Sequence, residues 1–218
     1  MLIQIYYTQF NQPLPSAQFQ AYLETLPIEL QKKIQGFIRW QDQHASLFAR
    51  LLLQHALQPY QLNLQQLQYT KYKRPFVNNK IDFNLAHSGE YVLCAITENQ
   101  RLGIDIEQVR PIEIQHFQSI LTQNQWNALN QTAEPPLFFK FWTQKESAIK
   151  ADGRGLHLAL NNIESINNQV QLQQTWFLHE ITDFLPDYAC HLATDKTNIE
   201  IHCQFKSFDS CCENKITI

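Results

Sequence analysis

The chain has 218 residues, with 17 lysines and arginines against 20 aspartates and glutamates, a formal charge of −3, and 44% hydrophobic residues. That balance excludes wholesale disorder and gives nucleic acid no electrostatic footprint. The absence of about 20 consecutive apolar residues excludes a membrane-spanning helix.

The length corresponds to roughly one and a half ordinary domains, so one large unit or two small packed halves is expected. The opening Met-Leu-Ile-Gln-Ile-Tyr-Tyr lacks the regions of a signal peptide. Cys94, Cys190, Cys203, Cys211 and Cys212 show neither a CxxC pair nor zinc spacing. Reduced thiols in the cytoplasm are therefore expected.

Ile3, Tyr6 and Tyr7 predict an opening strand. Ala17 to Leu26 and Glu29 to Phe37 predict short helices parted by Pro27. Ala45, Phe48, Leu52 and Ala56 predict a longer helix from Gln41 to Gln58. Ile81, Phe83 and Leu85 alternate with Asp82, Asn84 and Ala86, a strand pattern. Tyr91 to Thr97 reads as a buried strand, and Leu102, Ile104 and Ile106 alternate again. Only Glu98 to Arg101 separates these two runs, which predicts an antiparallel hairpin.

The second half is taken to begin at Val109, giving halves of residues 1–108 and 109–218. Thr122 and Gln125 have capping-box spacing. Pro135 and Pro136 suit the first turn of a helix that stops at Gly153. Asp187 to Ala193 and Ile199 to Phe205 predict two last strands. They match the earlier pair without a gap: Tyr91 with Tyr188, Thr97 with Thr194, Leu102 with Ile199 and Ile104 with Ile201. Internal duplication explains the match, as does chance similarity of two amphipathic hairpins. Under duplication, Asp105 and Glu107 correspond to His202 and Gln204, so only one copy has an acidic pair.

Asp105 and Glu107, two apart on a strand, share one face. The pair is either an acidic outer face or a seat for a hard cation such as magnesium. Trp142, Glu146 and Lys150 form a stripe on the later helix. Glu146 and Lys150 are either a plain i,i+4 pair or members of a site, with Glu146 on a cation and Lys145 and Lys150 on phosphate oxygens. His87 and Ser88, before Gly89, either close a turn or bind phosphate. P-loop, α/β-hydrolase and zincin signatures are absent.

In order, Lys73-Arg74-Pro75, Phe83-Asn84-Leu85-Ala86-His87-Ser88-Gly89, Leu102-Gly103-Ile104-Asp105-Ile106-Glu107 and Phe141 through Leu156 (FWTQKESAIKADGRGL) resemble the 4′-phosphopantetheinyl transferases of the Sfp type. Phe37 to Leu52 resembles that family's N-terminal helix more loosely. The resemblance implies an α+β fold, a pseudo-twofold duplication of two similar α/β halves with the active site at their interface. It implies transfer of 4′-phosphopantetheine from coenzyme A to a serine of an acyl, polyketide or peptidyl carrier protein, releasing 3′,5′-ADP. Asp105, Glu107 and Glu146 fall at its magnesium-ligand positions. His87 and Arg74 fall where the 3′-phosphate and nucleotide are held, with Ser46 and Lys33 as further contacts. Lys150 matches the lysine beside the pyrophosphate, and Glu146 and Lys150 are the candidates for proton acceptor and leaving-group partner.

The chain departs from the family at Ala86, where serine is common, at Gln125, where glutamate is common, and at Ala45, where arginine is frequent. The competing functions are a magnesium-dependent nucleotide phosphohydrolase and a non-catalytic module that binds coenzyme A or carriers. A monomer binding neither membrane nor nucleic acid is expected. The apolar residues of Val109 to Leu121 predict an exposed carrier-docking rim at Ile112 or Phe117.

Overall fold

The computed structural model describes residues 1–132, 134–182 and 187–208. The N-terminal part runs β1 (Leu2–Gln9), α1 (Ser16–Glu24), α2 (Ile28–Gln35), α3 (Trp40–Leu57), β2 (Gln68–Tyr69), β3 (Pro75–Phe76), β4 (Ile81–Ser88) and β5 (Tyr91–Glu98). The C-terminal part runs β6 (Leu102–Gln108), α4 (Gln123–Thr132), α5 (Pro135–Asp152), β7 (Ser165–Ile166), β8 (Gln169–Gln171), β9 (Thr175–Glu180), β10 (Tyr188–Thr194) and β11 (Glu200–Phe205). Pro15 and Pro27 precede α1 and α2. The capping box forms: Gln125 N–H donates to Thr122 Oγ1 (3.3 Å) and Thr122 N–H to Gln125 Oε1 (3.1 Å). Prolines open α5, and Gly153, at φ +87°, ends it.

The elements stack in four layers: α3, a sheet of order β11-β1-β5-β4, a sheet of order β6-β10-β9-β8-β7, and α5. Leu47, Phe48 and Leu52 of α3 pack on Phe83, Val92, Cys94 and Ile96. The inner faces, Ile3, Ile5, Leu93 and Ala95 against Leu102, Ile104, Ile106 and Leu192, form the core between sheets. On the far side, Ala148, Ile149 and Ala151 of α5 meet Trp176, Leu178 and Ala193. Gly103 lets α5 approach β6 closely, since a Cβ there would collide with the Ser147 carbonyl and the Ala151 amide.

The expected hairpin of β5 and β6 does not form. β5 pairs with β1 and β4, whereas β6 pairs with β10. Both strands are buried on both faces over most of their length; stacking in two layers covers those faces, which a coplanar hairpin alone would leave open. The second pair repeats the crossing: β10 stays in the second sheet and β11 returns to the first, parallel to β1. This exchange fits a duplicated α/β arrangement. It also means that no single cut separates the sheets, because a division after residue 108 leaves β6 in one half while it pairs with β10 of the other. His202 and Gln204 lie exposed on β11, with His202 beside Glu200 (2.8 Å).

Candidate active site

The sheets join where β6 lies over the inner face of β4. There the polar alternation of β4 is buried and supplies acceptors to the outer edge of β6. Leu102 N–H donates to Asp82 Oδ2 (2.9 Å), Ile104 N–H to Asn84 Oδ1 (2.9 Å) and Gln108 N–H to Ser88 Oγ (3.1 Å). A backbone edge removed from water needs such partners. Ala86, in the same row, is buried in the core between sheets.

The opposite face of β6 carries Asp105 and Glu107 toward α5. Lys150 Nζ donates to Asp105 Oδ1 (2.6 Å) and to the Ile104 carbonyl (3.1 Å). Asp105 Oδ2 is buried without a hydrogen-bond partner. Burial, reinforced by the charges of Glu107 and Glu146 and opposed by Lys150, pushes the Asp105 carboxyl up to about 7. Burial likewise raises Glu146, with Glu107 adding to the rise and Lys150 opposing it. Ser88 Oγ donates to Glu107 Oε2 (2.7 Å), which fixes that carboxylate. Trp142, Glu146 and Lys150 are half-buried where most of their neighbours on α5 are buried, so the predicted stripe is the face turned to the site.

His87 is exposed at the end of β4, yet water exclusion is the largest influence on it and lowers its pKa. Lys150 and Arg50 push the same way, while Asp42 and Glu107 oppose them. His87 shares a cavity of about 520 Å³ with Trp40, Asp42, Ala45, Gln108 and Arg110. A second groove of about 230 Å³ runs from Tyr72, Lys73 and Pro75 to Glu146 and Lys150. Ser46 is half-buried on α3. Lys33 is exposed on α2 and has no ion pair among the described residues.

Two expected phosphate or nucleotide ligands have other work. Lys145 is 1% exposed and donates to the Ile120 (3.0 Å) and Leu160 (2.8 Å) carbonyls. Burial lowers its pKa to about 8. It ties two loops together and does not reach the groove. Arg74 is 7% exposed; it grips Asp82 with both ends (2.7 and 2.9 Å) and donates to the Lys150 (3.0 Å) and Leu102 (2.8 Å) carbonyls. Four of its five N–H donors are thus engaged. Its guanidinium braces β4, β6 and α5, while its side chain also lines the groove that runs to Glu146 and Lys150. Gln125 is spent on the capping box. The carrier rim is also smaller than expected: Ile114 and Leu121 are buried, and half-buried Phe117 packs on Phe138 at 4.7 Å. Sequence reasoning missed the roles of Asp82 and Asn84, whose signal was a polar row on a strand between buried neighbours, and read Ser88 as a turn or phosphate residue where it holds Glu107.

Among the described residues, no three His, Cys, Asp or Glu side chains are already gathered tightly enough to hold a metal ion. The donor set nevertheless suits a hard cation: carboxylate oxygens, one of them buried and unpartnered, with burial and mutual repulsion raising two of the groups.

The arrangement has counterparts among known proteins. Residues 101–198 match the model of the 4'-phosphopantetheinyl transferase superfamily, and residues 12–99 match that of a 4'-phosphopantetheinyl transferase N-terminal region. The chain belongs to the 4'-phosphopantetheinyl transferase superfamily. It is 35% identical to the 4'-phosphopantetheinyl transferase gsp of Aneurinibacillus migulanus over 64% of this chain and 62% of that one. It thus spans less than two thirds of that relative's length. It is 27% identical to the 4'-phosphopantetheinyl transferase Sfp of Bacillus subtilis over 73% of this chain and 75% of that one. It is 27% identical to the L-aminoadipate-semialdehyde dehydrogenase-phosphopantetheinyl transferase of Xenopus laevis over 73% of this chain and 60% of that one. The two models, side by side in one chain, fit the duplicated architecture.

Proposed function

We propose that this member of the superfamily transfers 4′-phosphopantetheine from coenzyme A to a serine hydroxyl of a carrier protein, releasing 3′,5′-ADP. The carrying observation is the meeting of Asp105, Glu107, Glu146 and Lys150 where β6 faces α5, next to His87 and the groove along Tyr72 to Pro75. Asp105, Glu107 and Glu146 would hold magnesium, which when bound supplies neutralisation of pyrophosphate charge. Lys150, paired with Asp105 (2.6 Å), would offset the charge of the departing 3′,5′-ADP. Glu146, its pKa raised by burial, is suited to take the proton from the attacking serine. Ser88 holds Glu107 in place. Half-exposed Ile112 and Phe117, with Arg110 at the cavity wall, offer the carrier a contact beside the site.

We also infer a cytoplasmic monomer. Cys94, Cys190 and Cys203 form no disulfide with one another, and both sheets come from one chain. No helix among the described residues is long and apolar enough to cross a membrane.

A product assay separates transfer from hydrolysis. Incubation with coenzyme A and magnesium should release 3′,5′-ADP only when an apo-carrier with its serine is present. Release without any carrier would instead support the phosphohydrolase.

A further inference from the structure

The two chain crossings between the sheets meet at one place. β5 leaves the first sheet for β6 through Asn99 to Arg101, and β10 leaves the second for β11 through Asp195 to Ile199. Arg101 N–H donates to Asp195 Oδ1 (3.0 Å), Asp195 N–H to the Arg101 carbonyl (3.3 Å), and Lys196 Nζ to the Asn99 carbonyl (2.7 Å). A cavity of about 530 Å³ opens there, against Ile81 and Asp82 at the start of β4. His87 and Glu107 lie toward the other ends of β4 and β6, roughly 17 Å away along the strands. The cavity is therefore a second opening between the sheets, away from the catalytic cleft. Arg74 lines both this cavity and the groove that runs to Glu146 and Lys150.

Its carboxylates are already engaged and its cations are not. Arg74 grips Asp82 in two hydrogen bonds (2.7 and 2.9 Å). Asp195 accepts the Arg101 amide. Asp152, whose charge also reaches Arg101, is held by Arg154 (2.6 and 3.0 Å). Lys80 has no side-chain hydrogen bond or ion pair among the described residues. Arg101 spends Nη2 on the Ala151 and Asp152 carbonyls (2.8 and 3.4 Å) and leaves Nη1 without a partner among the described residues. Burial and the neighbouring Arg74 both work against the Arg101 charge, and a bound anion would favour it. Arg74, Lys80 and Arg101, with Lys196 at the edge, face only Asp82 and Asp195. That leaves two positive charges, about the charge of a phosphate monoester dianion with its sign reversed.

The rest of the wall selects what bears the phosphate. Asn78, Asn79, Asn99 and Gln100 present side-chain amides, and Phe76 an apolar face. Amides both donate and accept, which suits hydroxyl groups. Gln100 is fixed in place: its Nε2 donates to Thr97 Oγ1 (2.6 Å), whose own hydrogen goes to the Leu2 carbonyl (2.9 Å). The volume lies in the range of small-molecule sites. We propose that this cavity binds a phosphate monoester of a small polyhydroxylated molecule, its phosphate toward Lys80 and Arg101 and its hydroxyls toward the amides. The guanidinium and ammonium groups are the usual partners of such a phosphate.

Titrating nitrogen-15-labelled protein with glycerol 3-phosphate, with sodium chloride at matched ionic strength as control, tests this. Saturable shifts should centre on the amides of Asn79, Lys80, Asn99 and Arg101. Lys80→Gln, at an exposed and unpartnered position, should fold as wild type does and weaken binding about three- to fivefold, the scale of one partly exposed ion pair. Adding Arg101→Gln should abolish it. Inorganic phosphate should bind at the same amides at least about threefold more weakly, the scale of one missing neutral hydrogen bond. Shifts that chloride reproduces, or an affinity that Lys80→Gln leaves unchanged, would overturn the assignment. Equal affinity for inorganic phosphate and glycerol 3-phosphate would mean an adventitious ion only. Shifts confined to His87 and Glu107 would put the phosphate in the catalytic cleft and overturn it as well.

Discussion

The two long helices are counterparts with opposite chemistry. α3 and α5 each have 18 residues and each cover the outer face of one sheet; Asp42 and Ala45 of α3 line the cavity with His87, and Glu146 and Lys150 of α5 line the second groove. On α5 the stripe ends in Glu146 and Lys150 and faces the Asp105–Glu107 pair of β6. α3 faces no such acidic pair: the strand that duplication would align with β6, β11, lies at the sheet edge with His202 and Gln204. One copy carries the acidic pair, and the other has histidine and glutamine at the matching positions. The comparison teaches that a repeated frame fixes where side chains converge and leaves their charge free to diverge.

The largest effect expected from breaking this contrast is on the acidic side. Asp105→Ala or Glu107→Ala should lower kcat by at least about 10²–10³, the scale for one preorganised electrostatic group. Because burial already disfavours the Asp105 charge, Asp105→Asn should leave the melting temperature nearly unchanged. Steady-state rates beside thermal melts check both, and near-normal turnover would remove these residues from the site.

Next is the buried tie behind α5. Lys145→Met abolishes two hydrogen bonds from a charged donor and leaves the Ile120 and Leu160 carbonyls unpaired. A loss of about 2–3 kcal/mol is expected in urea unfolding, with KM for coenzyme A unchanged. A raised KM without lost stability would return Lys145 to phosphate binding.

Acid should act through His191. It is 2% exposed, and its Nδ1 donates to Thr143 Oγ1 (2.8 Å), which itself donates to the Phe139 carbonyl (2.8 Å). Burial lowers its pKa to about 4. The unfolded chain, with an ordinary histidine near 6.5, binds the proton first, so stability is full above about 6.5 and falls as pH drops toward 4. The fall from this group is at most roughly 3 kcal/mol. His191→Gln should flatten that part of the stability–pH curve, and an unchanged slope would assign it elsewhere.

The smallest effect belongs to the copy without acids. His202→Ala and Gln204→Ala should alter transfer less than about twofold, because both side chains are exposed on β11. Manganese bound beside them in a soaked crystal would show that the second copy also holds an ion.

Much of this was legible from residue pattern. The periodicity of α3 and α5, the Thr122–Gln125 box and the Gly153 stop all formed as spacing predicts. The stripe of Glu146 and Lys150 was readable because four-residue spacing fixes a helix face. The fate of β5 and β6 was not, since a short link joins two sheets as readily as it closes a hairpin. Nor were the roles of Arg74 and Lys145. Their partners include backbone carbonyls of distant elements, Leu102 and Lys150 for one and Ile120 and Leu160 for the other, and carbonyls leave no mark in a sequence.

The most direct test of the account weighs an apo-carrier protein by mass spectrometry after incubation with coenzyme A, magnesium and this protein. The account predicts one added phosphopantetheine on the carrier serine with wild type and almost none with Glu107→Ala. An unmodified carrier across acyl, polyketide and peptidyl types, or equal modification by Glu107→Ala, would contradict it.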